Sequence, residues 1–341
     1  MPSGQPGDHL TVSQWPLYVD PGKNGTVAQF SDETGIQTKW IEDINDNSEF
    51  FSKIQPLLAN GQTGGRDLIT VSDWLAKRMF DLGYLYKLDK SKIPNVEANL
   101  IPQLQHPPAD PNRDFTVPWQ AGMTGLIVNT DLAPDATSIC DLFDPKYAGK
   151  VTMLTELRDS VPMTLKCMGI DPDSATEDQW MSAIDKIKEA KDAGQFRAFT
   201  GNDYIRGLSN GDIAIALGWS GDAIQLQADN PNIKFVMPTE GCMIWSTSLE
   251  IPVGAPDPQA AEEFMNYVYD PQNQAQIARW VNYITPVAGV KEILEKTDPE
   301  LANDPLIFPS TEFTKNCTYE PVLGGPMGDR ITKAFEQVIT G

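Results

Sequence analysis

The densest chemistry in the chain lies where carboxylates stand beside large aromatic rings. "GWSGD" places Trp219 three residues before Asp222, directly after the apolar run Ile213–Leu217. Similar groupings recur: Trp15 and Tyr18 in "SQWPLYVD", Ser72, Asp73 and Trp74 in "SDW", and Glu156, Arg158 and Asp159 in "TELRDS". Trp245 lies in "CMIWSTS", Tyr283 in "NYITP", and Tyr319 with Glu320 in "NCTYEP". An aromatic face attracts an ammonium by roughly 0.5–2 kcal/mol. The same rings bury methylene groups at about 0.8 kcal/mol each, and carboxylates close on ammonium groups through short charge-assisted hydrogen bonds. One tryptophan alone reads more simply as core. Its recurrence beside acids suits a small organic cation.

Enzyme signatures are sparse. The chain has no P-loop, no G-x-G-x-x-G and no H-E-x-x-H. "GWSGD" superficially matches the nucleophile elbow, but Asp222 replaces its second glycine. His9 and His106 offer Ser220 no convincing base. Glu156 and Asp159 could form a glycosidase pair, although a helix N-terminus or a cation site is the plainer reading. "DINDN" at 43–47 lacks the glycine and terminal Glu of a calcium loop and reads as a turn. Cys140, Cys167, Cys242 and Cys317 form no C-x-x-C pair, so zinc spacing is absent. No metal or cofactor is expected.

These residues need a scaffold of some size. A length of 341 residues predicts two domains, and 40% apolar composition predicts a folded chain. Against 47 acidic residues stand 26 basic ones, a net charge of −21 that argues against nucleic acid and anionic lipid and draws cations. No run approaches the ~20 apolar residues of a membrane span. "MPSGQPGDH", residues 1–9, is polar and tether-like, as at the trimmed start of an exported protein. Four widely spaced cysteines fit two disulfides in an oxidising compartment, with the pairing open.

Apolar runs at Leu10–Val12, Leu68–Val71, Gly125–Asn129, Val151–Leu154, Ile213–Leu217, Ile233–Met237 and Ser248–Val253 predict strands. Between them lie helical stretches. One starts at Ser72 and stops at Gly83. A second has a capping box, Thr176 with Gln179, and ends at Gly194. A third has Asp257 as N-cap and Pro258 at its first position. Alternation of this kind is α/β architecture. In open α/β sheets ligands collect at the carboxyl ends of strands, where the aromatic and acidic residues fall; Ser220-Gly221-Asp222 is expected as the turn after its strand.

The order of motifs resembles the spermidine/putrescine-binding proteins of bacterial ABC importers, a branch of the two-lobed type II periplasmic binding proteins. It is carried from about residue 10 to the C-terminus by "QWPLYV", "DLITVSDWLAKRM", "DFTVPWQAGMTGLIVNTD", "LFDPKYAGKVTMLTELRD", "GDIAIALGWSGDA", "EGCMIWSTSLEIPVGAPDPQAAEEFMNYVYDP" and "NYITPV". The resemblance implies two lobes, each a mixed sheet flanked by helices, with a ligand cleft between them. Lobe 1 would be residues 10–119 plus 247–288, lobe 2 residues 120–246 plus 289–341, and 1–9 a flexible tether. It implies ligand contacts from Trp15, Tyr18, Ser72, Trp74, Glu156, Asp159, Trp219, Asp222, Trp245, Thr247, Tyr283 and Glu320.

The function implied by this resemblance is that of a non-enzymatic receptor, monomeric and periplasmic or extracellular, lipid-anchored in its native form. It would close by a hinge on a cationic amine and deliver it to a membrane permease. Departures from the family pattern are Leu17 and Thr247, where acids are common, and Glu320, where a neutral Gln is typical. They keep a quaternary ammonium compound or an ω-amino acid such as γ-aminobutyrate in play; a glycosidase or esterase is the remote alternative. Because Cys242 and Cys317 each precede a proposed pocket residue by three positions, Cys242–Cys317 and Cys140–Cys167 are the expected disulfides.

Overall fold

The computed structural model describes residues 6–107, 110–321 and 323–341, so most of the expected tether lies outside the described residues. In chain order the described strands are β1 (His9–Gln14), β2 (Gln37–Glu42), β3 (Leu68–Ser72), β4 (Thr116–Asn129), β5 (Val151–Leu154), β6 (Phe196–Thr200), β7 (Ile215–Trp219), β8 (Ile233–Val236), β9 (Met243–Glu250) and β10 (Thr318–Tyr319). The chain divides into two compact units. Unit 1 holds the described residues up to Ala121 together with Ser246–Phe308; unit 2 holds Gly122–Trp245 and Pro309–Gly341. The last passage between units falls at 308/309, not at the 288/289 expected from sequence. Residues 289–308 stay with unit 1, where Val290, Leu294 and Ile307 are fully buried.

In unit 1, β1 pairs in parallel with β2 and with β3, and β3 pairs antiparallel with the second half of β9. That last register sets Ser72 opposite Thr247 and Val71 opposite Ser248. Phe30, fully buried, packs edge-on against Phe264 at 5.2 Å. In unit 2, β5 lies between β6 and β7, parallel to both, and β7 pairs antiparallel with β4, Thr124 opposite Trp219. Three parallel strands therefore deliver their carboxyl ends to one edge, followed there by Glu156, Asn202 and Ser220.

Several boundaries differ from the sequence expectation for definable reasons. β4 starts at Thr116, well before Gly125, and all fourteen of its residues are buried despite Pro118 and two glycines. At Gly125 the Phe235 ring takes the space of a side chain: an added Cβ would meet its Cζ at 2.6 Å. β7 runs two residues later than Ile213–Leu217, because the amide of Ile213 is still bonded to Gly207 O in the preceding turn. β9 begins at Met243, where β10 pairs with it, and ends at Glu250, two residues before Pro252, which has no N–H to donate. Ser220-Gly221-Asp222 is not a turn: it is the first turn of the helix Ser220–Asp229. The segment at 43–47 likewise leads into a helix, with Asp46 as N-cap accepting from the Glu49 amide at 2.8 Å.

Candidate functional site

Unit 2 draws together the strongest acidic and aromatic group. Trp219 ends β7 and its indole N–H donates to Asp159 Oδ2 at 3.2 Å. The other oxygen, Oδ1, accepts from Thr124 Oγ1 at 2.6 Å. Asp159 lies in the first turn of the helix Leu157–Cys167, with Glu156 at its N-cap position, so the helix reading of this motif holds. Both acids are buried. Desolvation pushes the Asp159 carboxyl up to about 6, against the opposing pull of its hydrogen bonds from Thr124 and Trp219. Trp245 stands edge-on to Trp219, ring centroids 6.2 Å apart.

On the other flank of Trp219, the Tyr204 hydroxyl accepts from the Trp219 backbone amide at 3.1 Å and donates to Asp222 Oδ2 at 2.6 Å. Asn202 Nδ2 donates to the same oxygen at 2.8 Å. Burial and then the charge of Asp222 hold the Tyr204 phenol well above its ordinary range, so it remains a donor. Ser220, one residue past Trp219, is fully buried and its Oγ accepts from the Met123 amide at 3.2 Å. Glu320 follows β10, its amide bonded to Ile244 O at 2.9 Å, beside the start of Trp245. Cys242–Cys317 and Cys140–Cys167 are the two disulfides, as expected. The first ties the β9 entry to β10, and with it the segment bearing Glu320.

Unit 1 carries a second group at the carboxyl ends of β1 and β3. Tyr18 packs edge-on against Tyr283 at 5.4 Å and against Trp119 at 6.4 Å. Thr247 donates its single hydroxyl proton to Gln120 O at 3.2 Å, so in the 3.1 Å contact between Tyr18 and Thr247 the phenol is the donor. The Trp15 indole donates to Thr70 O at 3.1 Å. Ser72 is the N-cap residue of the helix Asp73–Asp81; its Oγ accepts from Asn47 Nδ2 at 2.9 Å, and its amide donates to Asn47 Oδ1 at 3.1 Å. Trp74 is half-buried in the first turn of that helix. Asp73 takes hydroxyls from Ser246 and Ser248 of β9.

Among the described residues no group of three or more His, Cys, Asp or Glu is placed to hold a metal ion, and no helix is long and apolar enough to cross a membrane. The sequence pattern of the bacterial extracellular solute-binding proteins matches residues 25–309. The chain belongs to this family. A spermidine/putrescine-binding periplasmic protein of Escherichia coli is 28% identical over 317 residues, covering 92% of this chain and 87% of the relative. A putrescine-binding periplasmic protein of the same organism is 29% identical, covering 97% and 91%. Among solved structures, a putative spermidine/putrescine ABC transporter protein of Listeria monocytogenes superimposes with a TM-score of 0.86 at 25% identity, covering 98% of this chain and 99% of the other.

In this solute-binding protein the residues named from sequence fall into two sets. Glu156, Asp159, Trp219, Asp222, Trp245 and Glu320 belong to unit 2; Trp15, Tyr18, Ser72, Trp74, Thr247 and Tyr283 belong to unit 1. Sequence reasoning missed the polar side chains that hold them: Thr124 on Asp159, Asn202 and Tyr204 on Asp222, and Asn47 on Ser72. One signal was available. "GNDY" follows β6, and the loop after a parallel strand is where polar residues gather at such an edge.

Proposed function

We propose that this solute-binding protein is a receptor, not an enzyme, for a small organic ammonium compound of the linear polyamine class. It works outside the cytoplasmic membrane and hands its ligand to the permease of an ABC importer. The observation that carries this reading is Trp219, an aromatic ring flanked by two separately held carboxylates, Asp159 on its indole N–H and Asp222 in the helical turn after it. An ammonium approaching Asp159 favours the ionised carboxyl, offsetting the desolvation that otherwise favours its neutral form. The naming of the relatives for spermidine and putrescine supports the ligand class, and two disulfides suit an oxidising compartment.

A hydrolytic reading has little support. Ser220 Oγ is tied to the Met123 amide in a fully buried position, and the two histidines bond elsewhere, His9 to Asp8 and His106 to Pro111 O. A second receptor reading rests on Leu17 and Thr247. Leu17 is apolar and 38% exposed, and the Thr247 hydroxyl is committed to Gln120 and Tyr18. Unit 1 is thereby poorer in charge, as would suit a ligand with one cationic end. Calorimetric titration with putrescine, spermidine, γ-aminobutyrate and choline decides between them. Binding of the first two supports the polyamine reading, preference for either of the last two supports the second, and silence from all four sinks both.

A further inference from the structure

Asn202 occupies the loop between β6 and the helix Tyr204–Ser209 and is only 8% exposed. Its amide has two ends with opposite fates. Nδ2 donates to Asp222 Oδ2, while Oδ1 is buried and meets no hydrogen-bond donor. The orientation is fixed by chemistry: Asp222 Oδ2 already accepts the Tyr204 hydroxyl proton, so the amide nitrogen, not its oxygen, faces it. A buried carbonyl without a donor is a standing cost to the fold. A leucine of similar shape would avoid it, so what this side chain contributes is its donor to Asp222. Tyr204 repeats the arrangement, with its phenol donating to the same Asp222 oxygen while accepting from the Trp219 amide.

We infer that Asn202 and Tyr204 are positioning residues of the amine site, holding Asp222 oriented and ionised for an ammonium ligand. This rests on the amine-receptor reading for the ligand, but not for the effect on Asp222 itself. Two donors on one carboxyl oxygen favour the charged form of a buried acid. Asp159 also bears electrostatically on Tyr204, and Glu156 and Arg158 are buried at the start of the same helix as Asp159. Asp159 has its own two donors, Thr124 and Trp219, so the two carboxylates are supported separately.

The test tracks the Asp222 carboxyl carbon by NMR in ligand-free protein, its signal assigned with Asp222→Asn. In Asn202→Leu and in Tyr204→Phe the titration midpoint moves to higher pH than in the wild type; an unmoved midpoint in either overturns the inference. Asn202→Ala replaces Asn202→Leu if melting shows the latter unfolded. Titration calorimetry with butane-1,4-diamine supplies the functional arm. The ratio of variant to wild-type Kd grows to about tenfold or more as pH falls from about 8 to about 5. A ratio constant with pH means a merely structural role and contradicts the inference. If the wild type binds no diamine, the receptor reading fails while the NMR arm still decides the positioning role.

Discussion

Asp159 shows how a single buried carboxyl links stability, pH and ligand. Its folded-state value, pushed up to about 6 by desolvation, lies above its ordinary value of 3.8. The folded protein therefore binds this proton more tightly than the unfolded chain does, and stability falls as pH rises through that interval. In ligand-free protein Asp159→Asn should raise stability by about 2–3 kcal/mol above about pH 7, a gain that fades as pH falls through about 6 and is gone below about pH 4. The amide can keep both contacts, accepting from Trp219 and donating to Thr124. Chemical denaturation across pH checks this, and a gain independent of pH would contradict it. The same variant should weaken a cationic ligand by about tenfold or more, the value of a charge-assisted hydrogen bond. Leu17 is a second informative position. It holds a left-handed φ of 58°, uncommon for a branched apolar side chain, and is exposed between half-buried Pro16 and buried Tyr18. Leu17→Asn should stabilise by about 0.5–1 kcal/mol in urea denaturation; a loss would mean the leucine packs against something that outweighs its backbone cost.

At the scale of elements, the sequence was most legible where a local signal was strong. The Thr176–Gln179 capping box starts the helix Glu177–Asp192 with both reciprocal bonds, and Asp257 caps the next predicted helix by accepting from the Ala260 amide. Less legible were β4 and β9, whose extents depend on partners distant in the chain. Pairing of β9 with β10 is enforced by Cys242–Cys317 across 75 residues. Lys166 adds to this region by donating to Asn316 O at 2.9 Å. Gly241 makes the close approach possible. At φ 91° it faces the Asn316 carbonyl, and an added Cβ would lie 1.9 Å from that oxygen. Gly241→Ala should cost about 3 kcal/mol or more, in the range reserved for backbone strain and clash; a melting temperature within a degree or so of the wild type would refute the packing described. Glu250 ends β9 fully buried, with neither oxygen in hydrogen-bond geometry. Desolvation first, then the charge of Asp73, holds it well above its ordinary range, opposed by the Val71 amide and by Arg113. Glu250→Gln should therefore stabilise at neutral and alkaline pH and lose that advantage in acid; equal melting temperatures at both extremes would count against it.

Within each unit, most of the residues named from sequence lie at or near strand ends, because alternating strands and helices bring loops with special residues to one edge of a sheet. Their supports were illegible for a physical reason. Thr124, Asn202, Tyr204 and Asn47 reach their carboxylate or hydroxyl partners across 18 to 35 residues of chain, and nothing in their local sequence distinguishes them from ordinary polar loop and strand residues. Family membership fixes the broad role, and the charge held around Trp219 proposes the ligand. The most direct test is a thermal melt of the wild type with and without putrescine or spermidine at about a hundred times the dissociation constant found by calorimetry. The expected result is a rise in melting temperature equivalent to about 2.7 kcal/mol, lost in Asp222→Asn although that variant melts cooperatively without ligand. No rise with either amine, or an undiminished rise in Asp222→Asn, would contradict the account.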